Sequence, residues 1–516
     1  NPGLRAYFSN VVKGQPKVYD TPFAKGESTE TMLSLWNEVL VSINDKWPSL
    51  YEFEMNMRSK VGPLSVMKPL KDRMADIDAY YTGVEGTPEP ISDRAVSAAL
   101  TDWTKARGLQ VRSIKRTVDI MKKSTNSGSP YFTKRRNVVE DTIPCTIEIN
   151  NQTVIQNLTH DVWEACAVLG WRGQEGGYNK DDVKQRVVWM FPFSVNIREL
   201  MVYQPLIEAA QKFNINPAWV SMDAVDKKIT LLFDTKGPRD PIICTDFTKF
   251  DQHFNPQLQK AAYTMIRALF KGAGPEISYW SNEVFPVKYM IPLAYDYGKL
   301  RYGAHGMGSG SGGTNADETL AHRCLQYEAA QAQGKLLNPH SMCLGDDGIL
   351  SYPGITVDDV INSYSQHGLE MNPEKQDVSD QDCVYLRRWH HTDYRMQGIC
   401  VGVYSTMRAL GRLRYLERYY DPEVWGPKAV ALRQLSILEN VKYHPLRNEF
   451  AEFCMKRDKY RLGIDIPHFL DKIEDEARQV TDLMPDFLGY VNTLQADASG
   501  LGIQSWWIVN YLKSKA

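Results

Sequence analysis

Two aspartates, Asp346 and Asp347, stand side by side in "MCLGDDGIL" (residues 342–350), where Leu and Ile on either side would otherwise continue a strand. Adjacent carboxylates repel, so either open solvent at a tight Asp-Gly turn or a bound divalent cation must offset them. Met342-Cys343-Leu344 before and Ile349-Leu350 after predict two short strands around a turn, which would hold the pair rigidly at the lip of a sheet. A second acidic stretch, "PIICTDFTKFDQHF", runs an apolar strand (242–244) into Asp246, with Asp251 five residues later. On a continuing strand those two side chains would face opposite ways, so the chain is expected to turn helically after Phe247 and bring both over one edge. Taken alone, a strand-end Asp reads as a helix N-cap. Several acids at strand tips also suit metal-dependent transfer of a phosphoryl or nucleotidyl group.

A glycine tract, "GAHGMGSGSGGTNADETLAHR", leads into a helical pattern carried by Leu320, Ala321, Cys324 and Leu325. Glycines there permit close backbone approach to a ligand. Gly308, Gly310 and Gly313 satisfy G-x-G-x-x-G, the fingerprint of a dinucleotide-binding oxidoreductase. That fingerprint normally follows a hydrophobic strand, whereas "KLRYGAHGM" is a poor one, and no strand-end acid follows at the required distance. Basic residues cluster elsewhere. Ten Lys and Arg lie between Lys105 and Arg136, Lys122 and Lys123 among them, opposed by Asp119 alone. They form either a solvated helix face or a phosphate-tracking surface. Within that stretch "STNSGSPYF" (124–132) reads as a loop ending in two aromatic rings that could stack on bases. In "KDDVKQRVVWMFP" the two-residue spacing of Lys184 and Arg186 puts both on one face of an extended segment, to grip phosphates or to guard a sheet edge.

The elements that must position these groups belong to a large body. At 516 residues, with 43% hydrophobic and 24% charged content, the chain is an ordinary globular protein of several subdomains. A net charge of −2 excludes a histone-like polycation and leaves local patches open. Eight scattered cysteines without C-x-x-C spacing read as free core thiols in a reducing compartment, not as a zinc site. No apolar run approaches a membrane span, so no membrane association is expected. Neither a repeat nor a long linker interrupts the chain, as in one compact α+β body.

Taken in order, the D-x-x-x-x-D of Asp246 and Asp251, the S-G-x-x-x-T of Ser309, Gly310 and Thr314, and the G-D-D of 345–347 resemble the palm of viral RNA-dependent RNA polymerases. The likeness runs from about residue 124 to 391. "STNSGSP" resembles the motif that admits template, with Gly128 and Pro130 at its fixed positions. "KQRVVW" is similar to the fingers motif that meets the incoming triphosphate. "GLEMNPEKQD" matches the next palm motif with Lys375 in the place of its lysine, and "VYLRRWH" the primer-grip hairpin with Leu386 and Arg387. The wording of "DFTKFDQHF" with "SGSGGTNADET" is most similar to picobirnavirus polymerases, from small bisegmented double-stranded RNA viruses, with partitiviruses and cystoviruses more distant. In one place the chain departs from the family. Four residues past Thr314, where an Asn is usual, stands Glu318, while Asn315 directly follows the threonine. The Asp–Asn pair that recognises ribose in the family therefore has no secure counterpart, and Asn315 or Ser309 is the expected support of Asp251.

This resemblance implies an α+β right-hand fold with an antiparallel palm sheet, closed by fingers–thumb contacts. Its expected divisions are an N-terminal segment bridging fingers and thumb (1–60), fingers (61–195), first palm part (196–255), fingers insertion (256–303), second palm part (304–400), and thumb with the C-terminal segment (401–516). It implies two Mg²⁺ ions, replaceable by Mn²⁺, about 3.5–4 Å apart, bridged by Asp246 and Asp346 with Asp347 in support. Lys184 and Arg186 would meet the β and γ phosphates. Asp251, Ser309, Gly310, Thr314 and Asn315 would surround the nucleotide, and Lys122, Lys123, Gly128, Pro130 and Arg387 would touch template or product. Lys375 is a general acid toward pyrophosphate or a solvated surface lysine. Arg408, Arg412 and Arg414 line the duplex exit or solvate a helix. The implied partners are RNA template and nascent RNA, ribonucleoside triphosphates and a viral capsid protein, within the virion and the host cytoplasm. A non-catalytic RNA-binding module is the alternative, and metal dependence separates the two.

Overall fold

The computed structural model describes residues 2–272, 274–483 and 502–516. At its centre lies a four-stranded antiparallel sheet, in the order Asp377–Ser379, Ile242–Thr245, Asp347–Leu350, Met342–Leu344. Every residue of Ile242–Thr245 is buried, because helices cover both faces of the sheet. Ile242, Cys244, Met342 and Ile349 pack with Val225, Ile229 and Leu232 of the helix Met222–Thr235. Ile243 and Leu350 enter the main core with the helices Pro256–Leu269 and Thr314–Ala332. A strand covered on both sides reads as an unbroken apolar run, which is why "PIICT" shows no alternation.

The 314–332 helix runs through the interior and buries polar side chains that tie it to its neighbours. Gln326 Nε2 donates to the carbonyls of Met342 and Ile349 at 2.9 and 3.2 Å, and Arg323 Nε to Asp102 at 2.8 Å. Asp317, fully buried, pairs with the equally buried Lys288 at 3.0 Å and accepts from Tyr203 and Tyr289 at 2.6 Å each. Such a charge survives burial only when paired and hydrogen-bonded.

A second sheet pairs Lys184–Met190, Ala167–Gln174, Leu293–Asp296 and Lys299–Arg301, with one parallel contact between the two middle strands. The helix Pro2–Lys13 lies against it, Phe8 packing on Val168 and Ala294. Two smaller antiparallel sheets are built from Thr146–Asn150, Thr153–Asn157 and Val162–Ala165, and from Asp382–Tyr385, Arg388–His391 and Val403–Tyr404.

A separate core joins the two ends of the chain. Helices Thr29–Leu40 and Pro48–Arg58 pack with Thr406–Arg414, Pro427–Glu439, Arg447–Met455, Ile473–Leu483 and Trp507–Lys515. Glu54, fully buried, caps the start of the 406–414 helix. It accepts from the Ser405 and Thr406 hydroxyls, from the Thr406 amide at 3.0 Å and from His444 Nε2 at 3.1 Å. The helix that begins in "MRALGRLRYLERYY" stops at Arg414. There the backbone is taken up by the N-terminal segment, Thr21 N donating to Arg414 O and Leu416 N to Tyr19 O, both at 2.9 Å. All eight cysteines are free, and all but Cys166 are buried. No helix among the described residues is long and apolar enough to cross a membrane.

Candidate active site

Strand register assembles the acidic cluster. Gly348 pairs with Thr245, so Asp246, one residue past the end of its strand, stands across from Asp347 at the same sheet edge. The hairpin forms as the sequence predicts, Met342–Leu344 and Asp347–Leu350 flanking Gly345 at φ +59°. Gly348 must lack a side chain, since a Cβ there would fall 2.6 Å from the His322 ring. His322 Nδ1 bonds Gly345 O at 2.9 Å, fastening the hairpin to the 314–332 helix. Thr319 Oγ1 accepts from Gly345 N at 2.9 Å on the same helix.

The segment after Asp246 turns as expected, through a hydrogen-bonded turn in place of a helix, His253 N donating to Lys249 O at 3.1 Å. Phe247, Phe250 and Phe254 force that turn. Phe250 and Phe254 are buried, and Phe247 packs on His322 and Tyr364, so the polar residues between them face the cleft. Asp251 thereby comes back into hydrogen-bond contact with Glu318.

Electrostatically the cluster is under-compensated. Burial pushes the Asp347 carboxyl up to about 7; the Leu386 amide, donating to Oδ2 at 2.8 Å, works against this, and Asp346 adds to it. Asp346, exposed at the hairpin tip, is raised by the protein around the cleft and then by Asp251 and Asp246. Asp246 is raised by its surroundings and relieved by Lys375 and Lys60. Carboxylates that stay raised at one edge despite Lys375, Lys60 and Arg387 nearby fit divalent-ion binding. Among the described residues no three His, Cys, Asp or Glu side chains form a cage able to hold an ion. Few protein ligands, with the remaining positions left to water and substrate oxygens, suit Mg²⁺.

Lys184 and Arg186 are both exposed on one face of the strand Lys184–Met190, while Val187 and Trp189 are buried. Lys375 is exposed beside Asp246 in the turn Pro373–Lys375. Arg387, also exposed, sits in the tight turn between Asp382–Tyr385 and Arg388–His391, where Leu386 and Arg387 both take positive φ.

The glycine tract is a packing device. A Cβ at Gly310 would lie 1.6 Å from Trp189 O, and one at Gly313 2.2 Å from the Tyr203 ring. Ser309 Oγ accepts from Trp189 N at 3.2 Å, and Thr314 Oγ1 donates to Gly308 O at 3.0 Å. Asn315 Oδ1 accepts from Trp219 Nε1 at 2.8 Å. Ser309 and Asn315, expected to support Asp251, are thus engaged elsewhere, and Glu318 occupies that position. Gly128, at φ +62°, would bring a Cβ within 2.6 Å of Phe191 O, which locks the 124–132 loop, Pro130 included, to the base of the Lys184–Met190 strand. Lys122 is exposed, but Lys123 Nζ donates to Val118 O, Met121 O and Asp119 O at 2.9–3.3 Å, closing the end of the helix Ile114–Ile120.

Several contributors carry no sequence signal of their own. Gln376 clamps the backbone of Asp246, its Oε1 accepting from Asp246 N at 2.8 Å and its Nε2 donating to Asp246 O at 2.9 Å. Glu199, buried in the helix Phe193–Lys212, accepts from Gly312 N at 3.0 Å and from the Ser311 hydroxyl, which holds the glycine loop. An acid inside the apolar stretch "FSVNIRELMVY" was the one available hint. Lys60 reaches the same cleft from the N-terminal segment. Its ammonium is held down by its surroundings, Arg387 and Lys184, and is supported by Asp246 and Glu175.

Comparison with known proteins accords with this arrangement. Residues 99–442 match the family model described as viral RNA-dependent RNA polymerase. A protein of Human picobirnavirus (strain Human/Thailand/Hy005102/-), described as a potential RNA-dependent RNA polymerase, is 61% identical over 520 residues, spanning all of this chain and 97% of that one. The crystal structure of the RNA-dependent RNA polymerase of a human picobirnavirus superposes with a TM-score of 0.95 at 60% identity, and its insertion-loop deletion mutant with 0.93 at 59%, each over 100% of this chain and 97% of the other.

Proposed function

Because the chain belongs to the viral RNA-dependent RNA polymerase family, and so copies RNA from ribonucleoside triphosphates, we propose how its residues divide that task. Asp246 and Asp346 would hold two divalent cations, Mg²⁺ or Mn²⁺, with Asp347 in support. When bound, such ions activate the attacking 3′-hydroxyl and neutralise the triphosphate and leaving pyrophosphate. Gln376 keeps Asp246 in place through its backbone. Lys184 and Arg186, on one strand face, receive the β and γ phosphates. Lys375, beside Asp246, gives a proton to the departing pyrophosphate. Asp251 accepts from the ribose 2′-hydroxyl, while Ser309, Gly310, Thr314 and Asn315 form the wall against which the nucleotide rests. Lys122, Gly128 and Pro130 lie on the template side and Arg387 on the product side. Lys123 acts there through the fold, as a helix cap.

The right-hand divisions follow the two cores. Residues 1–60 bridge fingers and thumb, since the 2–13 helix lies on the second sheet and the 29–58 helices lie in the core of the 401–516 region. Fingers comprise 61–195 and 256–303, and palm 196–255 and 304–400. A capsid protein is the proposed further partner, with action inside the virion and in the host cytoplasm.

The register of Thr245 with Gly348 carries this reading, because it brings acids a hundred residues apart to one edge. Asp246→Asn and Asp346→Asn are each expected to lower nucleotide incorporation by orders of magnitude, while RNA binding and melting temperature persist. Near-normal incorporation by either purified variant at saturating metal and nucleotide would falsify the assignment.

A further inference from the structure

Glu318 is 6% exposed, its carboxyl lies in hydrogen-bond contact with that of Asp251, and no N–H or O–H among the described residues donates to its buried Oε2. Two ionised carboxylates offer only acceptors, so this contact requires a proton between them. The surroundings decide where that proton resides. Facing Glu318 are Asp251 from the turn after the central strand, Asp346 from the hairpin, Asp317 on its own helix, Tyr80 from the helix Met74–Thr82, and Tyr289. Asp317 is already committed to Lys288, Tyr203 and Tyr289. Asp251 is half-buried at the open cleft, where water can solvate a charge, whereas Glu318 is enclosed. Burial, and then Asp251 and Asp346, push the Glu318 carboxyl well above the usual carboxylate range. An Oε2 that accepts from no such donor agrees, since a buried carboxylate would need donors on both oxygens.

We propose that Glu318 is a neutral carboxylic acid that donates a hydrogen bond to the Asp251 carboxylate and so fixes the acceptor that reads the ribose 2′-hydroxyl. It is a positioning residue. The inference rests on the reading of Asp251 given above. It accounts for the departure at this position, since a protonated Glu supplies by O–H the donor that an Asn would supply by N–H. The Ser309 hydroxyl is engaged with Trp189 N and Val187 O, and Asn315 is turned toward Trp219, whose Nε1 donates to its Oδ1, so the contact with Asp251 is left to Glu318.

The test is the ratio of incorporation efficiencies for one ribonucleotide and its deoxy counterpart, with melting temperature followed in parallel. Asp251→Ala should collapse the ratio, and Glu318→Ala should lower it at least about tenfold through misplacement of Asp251. Glu318→Gln, an uncharged donor of the same shape, should hold it within about threefold of the unsubstituted protein, and it carries the test even if the alanine variant folds poorly. An unchanged ratio in Glu318→Ala beside a collapsed one in Asp251→Ala overturns this inference and leaves the ribose reading standing. Loss of the ratio in Glu318→Gln at an unaltered melting temperature overturns it as well, because charge and not donation would then be required. An unchanged ratio in Asp251→Ala overturns the ribose reading and the inference together.

Discussion

With its carboxyl pushed up to about 7, Asp347 ionises in the range where nucleotide transfer is ordinarily measured. Below that pH a proton and a cation compete for the same oxygens, and metal binding must release the proton. The apparent affinity of the protein for Mg²⁺ or Mn²⁺ is therefore expected to fall as pH drops from about 8 to 6. Asp347→Asn should flatten that part of the profile. Titration calorimetry in two buffers of different ionisation enthalpy measures both affinity and proton release. Equal affinities across the range, with no proton released, would refute the electrostatic account of this aspartate.

At the scale of elements, the hairpin and the 314–332 helix behave as one unit because His322 joins them. Burial depresses His322, His305 and His390 to about 4 each, so all three are neutral in the folded protein near neutrality. In the unfolded chain they titrate near 6.5. Between those values the unfolded state binds more protons, so stability is fully present above about 6.5 and is lost as pH falls toward 4. Each histidine contributes on the order of 3 kcal/mol to that loss. His322→Gln should cost stability at neutral pH, yet show a shallower decline on acidification than the unsubstituted protein. Urea unfolding at a series of pH values reads both effects, and parallel declines would contradict the role given to His322.

Across the whole molecule, Glu175 links the second sheet to the helices of the other core. It lies just past the strand Ala167–Gln174, its side chain is 11% exposed, and it pairs with Arg408 at 3.0 Å, Arg412 at 2.8 Å and Arg387 at 3.6 Å. One carboxylate thus restrains three guanidinium groups, and their positive charge holds its own carboxyl below the usual range against the effect of burial. Glu175→Gln is expected to release that positive charge toward RNA. The slope of log affinity against log salt should steepen by about one to two for a structured RNA. Filter binding between low and moderate salt measures it, and an unaltered slope would show that the arginines stay committed to the fold. Arg408 and Arg412 are therefore ion-paired and not simply solvated. Arg414 donates to Phe23 O and Ala24 O at 3.1 and 2.7 Å.

By itself the sequence determined the parts whose causes are local. Apolar runs broken by Asp-Gly gave the hairpin, the unbroken "PIICT" gave a strand covered on both faces, and the order of the acidic and glycine motifs was enough to identify the family. Two-residue spacing put Lys184 and Arg186 on one face, since a strand alternates. What lay beyond local reading was every pairing across long separations. Arg112 belongs to a basic stretch whose one local acid is Asp119, yet Glu208 binds it from a helix nearly a hundred residues on. Lys123 had three carbonyls waiting in its own helix end, and Gln376, Glu199 and Glu175 carry no motif because their partners are backbone groups or distant arginines. Charge and hydrogen bonding are settled by neighbours in space, and only tertiary packing chooses those neighbours. Glu318 shows the difference most plainly: its departure from the pattern was legible in the chain, but its contact with Asp251 exists only because three phenylalanines fold the intervening turn back onto the buried helix.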